Sequence, residues 1–350
     1  MTRRRYVGGP RIALPLVGVM LGTLVMGALP AAVLAQDPAP TPAPSLEATP
    51  GAVTLAAYTT PREAYEEIIP LFQATEAGAG IEFQQSYGPS GDQSRAVEAG
   101  LPADIVALAM WPDVERLVVP GIVAPDWDEN EYGGIVHNSV VSLVVRPGNP
   151  KGITGWDDLV RDDIDVITPN PFTSGGAQWN LLAAWQAQIE AGKTPEEATA
   201  YLTELIANVS VMDRGARDAL TTFAAGQGDV LISYENEAIF AQQAGQPLEY
   251  IIPDATILIE NAVAPTLTGD AAEPAKAFVD FLYMPEAQTI FGQKGFRPEV
   301  EEVLAQFDFA QPANLFTIED LGGWAEARPA FFDPETGIVA EIFRTLNLAS

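Results

Sequence analysis

Short apolar runs of strand length alternate with helical stretches along most of this chain, and no other feature narrows its fold as far. Residues 53–58, 104–108, 165–169 and 229–234 each read as a strand buried on both faces. Residues 81–87 alternate like a strand and run into Gly88-Pro89-Ser90-Gly91. Helical stretches follow: one from Pro61, which suits the first helical position behind a Thr60 cap, one polar and bearing Arg95, and one over about 195–208. Near-continuous apolar strands need helices on both faces, so the rhythm predicts an α/β fold with a largely parallel sheet. Residues 139–146 form a further apolar strand that breaks at Pro147-Gly148-Asn149-Pro150, and 257–264 reads as a return crossing. From Pro274 the chain is helical, with Phe316, Trp324, Phe331 and Phe332 in its last part, and no repeat of fixed period is visible.

One of these junctions stands apart. Thr173-Ser174-Gly175-Gly176-Ala177 opens a helix continued by Leu181, Leu182 and Trp185 at helical spacing. Ser174 is a good N-cap, and the two glycines leave the first-turn N–H groups bare. Glycine in a helix costs stability relative to alanine, so close approach of an anion to the positive helix end is the natural compensation. Alone, the motif is equally an ordinary capped helix. Two more junctions strengthen it: Pro89-Ser90-Gly91, and Gly215-Ala216-Arg217 after a strand at 209–212. Ligands of α/β folds gather where such junctions meet, beyond the carboxyl ends of the strands. Several helix starts converging on one point satisfy the oxygens of a dianion without a lysine.

Charge limits the partners. The formal net charge of −29 argues against nucleic acid and anionic membrane, and it requires any anion site to be local. The absence of cysteine removes disulfides, thiolate chemistry and a lipid-bearing N-terminal cysteine. With His137 the only histidine, a His-based metal site or a Ser–His pair has little material, and neither metal nor cofactor is expected. The length of 350 residues suits two modest domains or two lobes of one ligand-binding unit.

Arg3, Arg4, Arg5 and Arg11 precede an apolar run over about 12–35 that ends Val33-Leu34-Ala35. Interrupted by Pro15 and Pro30, the run reads as a cleaved export signal over 1–35, through the general or the twin-arginine route. Residues 36–52, rich in Pro, Ala and Thr, read as a semi-extended tether.

From Val53 to the C-terminus the chain resembles the periplasmic sulfate-binding proteins of ABC importers. The resemblance rests on Gln84-Gln85-Ser86-Tyr87-Gly88, Ala103-Asp104-Ile105-Val106, Arg146-Pro147-Gly148-Asn149-Pro150-Lys151 and Trp156-Asp157-Asp158-Leu159-Val160. More specific are Val166-Ile167-Thr168-Pro169-Asn170-Pro171, Thr173-Ser174-Gly175-Gly176-Ala177, Gly228-Asp229-Val230-Leu231-Ile232 and Glu235-Asn236-Glu237-Ala238. Phe316-Thr317-Ile318 and Gly322-Gly323-Trp324 complete it. It implies a two-lobed periplasmic-binding-protein fold of type II, each lobe a mixed, mostly parallel sheet flanked by helices. Lobe 1 is expected over 53–142 and 258–350, and lobe 2 over 143–257.

By that resemblance the chain is an extracytoplasmic, non-enzymatic receptor that closes on a dehydrated oxyanion, sulfate first, and delivers it to an ABC permease. A monomer is expected. The implied donors are Ser90, Ser174, Gly175, Gly176 and Ala216. Where the family presents a tryptophan indole this chain has Tyr234, where it has an Asp in the first strand–helix turn this chain has Thr59, and its Arg after Ser-Gly-Gly-Ala is Gln178. The last two read as an ion pair replaced by a neutral pair. An indole only donates, whereas the hydroxyls of Tyr234 and Thr59 also accept, so discrimination against protonated oxyanions is expected to be weaker. Molybdate, thiosulfate and phosphate are the alternatives within the class.

The alternative of another class is an exported hydrolase of sulfate or phosphate esters. It would need an activated nucleophile, yet neither Ser90 nor Ser174 sits in a Gly-x-Ser-x-Gly elbow. His137 reads as a hinge or core residue. Glu235 and Glu237 read as arginine partners, with Arg217 a candidate, and Arg95 and Arg217 as cations paired with nearby acids. The aromatics around Trp324 and Phe331 read as packing; Trp111 and Trp127 sit in no motif.

Overall fold

The structure is a computed structural model that describes Thr49 and residues 51–348. The expected export signal over 1–35 lies outside the described residues, as does most of the tether. The strands are β1 (Val53–Tyr58), β2 (Phe83–Gly88), β3 (Ile105–Leu108), β4 (Ile135–Val145), β5 (Val166–Ile167), β6 (Val209–Val211), β7 (Val230–Tyr234), β8 (Glu249–Ile251), β9 (Ala255–Pro265), β10 (Arg297–Pro298) and β11 (Asn314–Phe316). They join in the order β2-β1-β3-β9-β4-β7-β5-β6, with β8 and β10 on β4 and β11 on β9.

Two parallel groups make up this sheet. β1 pairs parallel with β2 and β3, and β5 pairs parallel with β6 and β7. Between them run β4 and β9, eleven residues each and antiparallel to one another. The chain passes from the first group to the second on β4 and returns on β9, the return crossing expected over 257–264. β4 is buried at every position but Asn138, so it is covered on both faces and carries no solvent alternation.

Helices cover the sheet: α1 (Arg62–Gln73), α2 (Ser90–Glu98), α3 (Trp111–Glu115), α4 (Gly175–Glu190), α5 (Pro195–Ala207), α6 (Ala216–Ala224), α7 (Glu235–Gln243), α8 (Ala272–Leu282), α9 (Pro285–Gln293), α10 (Glu301–Leu304), α11 (Trp324–Phe332) and α12 (Ile338–Thr345). α4 is the hub, because all of its residues except Trp185, Ile189 and Glu190 are buried. Its polar groups find partners inside. Asn180 Nδ2 donates to Thr168 Oγ1 and to the Ile232 carbonyl, and Trp179 Nε1 donates to the Ala109 carbonyl at 2.9 Å. Trp324 and Phe331 stack edge-on against Trp179 and Trp185 with centroids 4.7 and 5.0 Å apart, so the C-terminal aromatics pack α11 onto α4. A second aromatic core joins Tyr65 and Phe72 of α1 to Phe278 of α8 and Phe291 of α9.

His137 is a core residue. It is fully buried on β4 between Phe291 and Phe296, with centroids 4.5 and 4.2 Å away, and burial holds its pKa down at about 3. Trp111 and Trp127 pack on each other and donate to Asp128 and Glu115. One expectation fails locally. α1 begins at Arg62 with Pro61 in the cap position, and Thr60 makes no side-chain cap bond. Its Oγ1 is buried without a close, well-aligned hydrogen bond instead.

Candidate functional site

Six strand-to-helix junctions end at one small cavity. It is walled by Thr59, Ser90, Ser174, Gly176, Ala216 and Tyr234, with Tyr58, Thr60, Gly88, Pro89 and Ala109 completing it. Its volume is about 10 Å³, far below the several hundred cubic ångströms of a drug-sized site. That is about the room one water-sized group needs, so only a very small ligand can enter. No wall residue carries a charge. Six of the seven residues singled out from sequence thus meet here, and Gly175 lies just behind them. A Cβ on Gly175 would come within 3.1 Å of Ala109 Cβ and 3.3 Å of Asp113 Oδ2 and Ser90 Cβ, which is why glycine stands there.

The donors follow from the helix starts. Ser174 caps α4 in extended backbone, its Oγ accepting from Ala177 N–H at 3.4 Å, which leaves its own hydrogen to donate. The N–H groups of Gly175 and Gly176 come too early in α4 for an intrahelical acceptor, and no other described group takes them. Ala216, first residue of α6 after the extended Gly215, presents its N–H in the same way. α2 is partly engaged already: Gly91 N–H donates to the Thr173 carbonyl at 3.1 Å. Ser90 Oγ donates to Asp113 Oδ2 at 2.6 Å and accepts from Ala109 N–H at 2.9 Å. Each helix end is equivalent to about half a positive charge, so three supply roughly one and a half without any cationic side chain.

Around the same cavity lie buried polar atoms with no close, well-aligned hydrogen bond. They are the hydroxyls of Tyr58 and Tyr234, Thr60 Oγ1, and Asn261 Oδ1 on β9. Tyr58 stands beside Thr60 and Tyr234 beside Asn261, so these groups face each other in two pairs at the cavity's edge and hold one another only loosely. Burial pushes both tyrosine pKa values well up, so both hydroxyls keep their protons. Tyr58 and Thr60 flank Thr59 in the same turn; the sequence marks them as a strand end and a helix cap and not as site residues. It also missed Asp113, which no local motif marks.

The nearby cations are committed elsewhere. Arg217 donates to Glu237 at 2.9 Å and to Glu63 at 2.7 Å, and Arg95 and Arg214 both reach Asp92 at 2.6 Å. Glu235 pairs with Arg297 at 2.8 Å. These are the acid–base pairings expected from sequence. The neutral pair of Thr59 with Gln178 is not formed, because Gln178 Nε2 turns to the Pro171 carbonyl at 3.0 Å and caps the loop before α4.

Residues 53–297 match the family model described as bacterial extracellular solute-binding protein. The chain belongs to that family. This solute-binding protein is 44% identical over 293 residues to the sulfate-binding protein of Synechococcus elongatus, a match covering 80% of this chain and 83% of the relative. It is 37% identical to the thiosulfate-binding protein of Escherichia coli, covering 79% of this chain and 86% of that one. Among solved structures, the sulfate-binding protein SubI from Mycobacterium tuberculosis superposes with a TM-score of 0.78 at 44% identity, covering 81% of this chain and 99% of SubI. The fold is therefore the two-lobed α/β fold of the periplasmic binding proteins, and the chain is a binding protein and not an enzyme.

Proposed function

We propose that this solute-binding protein captures a dehydrated tetrahedral dianion, sulfate, outside the cytoplasm and delivers it to an ABC permease. The observation that carries the reading is the uncharged wall: bare N–H groups of Gly175, Gly176 and Ala216 and the Ser174 hydroxyl, at a very small cavity. A hydrogen bond to a charged group contributes about 1.5–3 kcal/mol, so four or five offset much of the cost of drying the ion. Binding draws together lobe 1, residues 53–142 and 258–350, and lobe 2, residues 143–257. The closed monomer is the form the permease recognises. With a net charge of −29 the surface repels nucleic acid, and the ion is held by short-range contacts alone.

The hydroxyls of Tyr234, Tyr58 and Thr60 set the selectivity. Unlike an indole, each can accept a hydrogen bond as well as donate one, so a protonated oxyanion is penalised less here than in a wall made only of donors. Thiosulfate is a second reading, because relatives named for it match at comparable identity. Calorimetric titration of ion-free protein with sulfate, thiosulfate, phosphate and molybdate tests the assignment. Sulfate is expected to bind tightest, one ion per chain, with measurable phosphate binding. Tight phosphate or thiosulfate binding with no sulfate binding would reassign the ligand.

A further inference from the structure

The hydrogen inventory of Ser90 does not fit an anion as it stands. A hydroxyl has one hydrogen to give and two lone pairs to offer. Ser90 gives its hydrogen to Asp113 Oδ2 at 2.6 Å and fills one lone pair from Ala109 N–H at 2.9 Å. What it can still turn to the cavity it lines is a lone pair, which repels an anion. Behind it Asp113, a buried residue of α3, would place a negative charge within one side chain of a dianion.

One proton removes both conflicts. Carried on Asp113, it makes the acid a donor to Ser90 Oγ; both Ser90 lone pairs are then filled and its hydrogen swings into the cavity. We propose that anion capture takes up one proton from solvent, which Asp113 holds so that the Ser90 hydroxyl can donate to the bound ion. Asp113 is a positioning residue and never touches the ion. The inference rests on the anion-binding reading given above.

The surroundings of Asp113 suit that role. Burial pushes its pKa up, opposed by the hydrogen bond from Ser90 and more weakly by three arginines. Arg328 of α11 stands 3.9 Å from Oδ1 and spends Nη1 on the Pro112 carbonyl, while Arg116 follows α3 and reaches Glu98, and Arg95 on α2 is paired with Asp92. Ser94 of α2 donates to the Asp113 carbonyl, which fixes the residue but not its charge. A Cβ added at Gly175 of α4 would come within 3.3 Å of Oδ2, and from β7 the Tyr234 hydroxyl, which keeps its proton, feels the carboxylate's charge. Affinity is therefore full below the pKa of Asp113 in the free protein. Above it affinity falls about tenfold per pH unit, since the bound state keeps a proton the free state has lost.

Titration calorimetry with sulfate, repeated in buffers of different ionisation enthalpy between about pH 6 and 9, counts the protons directly. Sulfate itself takes up none in that range. Uptake is expected to rise toward about one proton per sulfate with increasing pH. Asp113→Asn, whose amide N–H replaces the acid's O–H, is expected to bind sulfate with uptake near zero and a flat pH profile. Sulfate heat with no uptake at any pH in the unmodified protein, or the same uptake in Asp113→Asn, overturns the proton proposal and leaves the receptor standing. No sulfate heat at all overturns both.

Discussion

Ser174 does two jobs that a pair of substitutions separates. Its Oγ caps α4 by accepting from Ala177 N–H, and its hydrogen is directed to the ion. Replacing an N-cap serine by alanine costs about 0.5–2 kcal/mol, while replacing it by glycine costs only a few tenths. At 3.4 Å the Ala177 bond is long, so Ser174→Ala should fall at the low end of that range. The lost donor is a different quantity. A hydrogen bond to a charged group is worth about 1.5–3 kcal/mol, which is roughly ten- to a hundredfold in affinity. Ser174→Ala and Ser174→Gly should therefore weaken sulfate binding alike while differing in unfolding free energy. Calorimetric titration measures the first and urea unfolding of ion-free protein the second. If both variants bind sulfate within about twofold of the unmodified chain, the hydroxyl is only a cap and the wall has been misread.

Gly175→Asp is expected to abolish sulfate binding, since its Cβ would press on Ala109, Ser90 and Asp113 and its carboxylate would enter beside the ion; equilibrium dialysis with labelled sulfate reads the loss. Arg217→Ala should destabilise the fold by about 3–5 kcal/mol, because it strands the buried Glu237 carboxylate, with Arg217→Met/Glu237→Gln recovering part of it in urea unfolding. His137 sets a pH dependence of folding whose sign is fixed. Its folded pKa is about 3, against about 6.5 unfolded, so in that window the unfolded chain holds a proton the folded chain lacks. Its contribution to stability is full above about pH 6.5 and lost as pH falls. His137→Gln should show a shallower acid-side loss of stability in denaturation midpoints measured at successive pH values.

Much of this was legible before any coordinates, because it depends on local chemistry. The apolar runs fix β1, β3, β4 and β7 by their length and continuity, and Ser174-Gly175-Gly176 marks the start of α4 through a cap and two bare amides. Of the two crossing strands, β9 was visible as a return crossing over 257–264, while β4 was visible only as an apolar strand over 139–146. Less visible was anything set by contacts distant in sequence. Asp113 meets Ser90 across 23 positions, and Arg146 closes the far end of α6 by donating to the Phe223 and Gly228 carbonyls. Thr60 misled for a related reason: before a proline it looks like a cap, but tertiary packing turns its hydroxyl toward the cavity wall. Gln178 misled in the same way, its Nε2 donating to the Pro171 carbonyl of its own loop rather than to Thr59. Short β10 and β11 exist only as partners of β4 and β9, and carry no period of their own.

The central claim is that bare backbone amides at converging helix starts hold a dianion. Amide proton shifts of isotope-labelled, ion-free protein during a sulfate titration test it most directly. The N–H signals of Gly175, Gly176 and Ala216 should move downfield together and saturate at one sulfate per chain. Saturable sulfate binding that leaves those three signals in place would contradict the account.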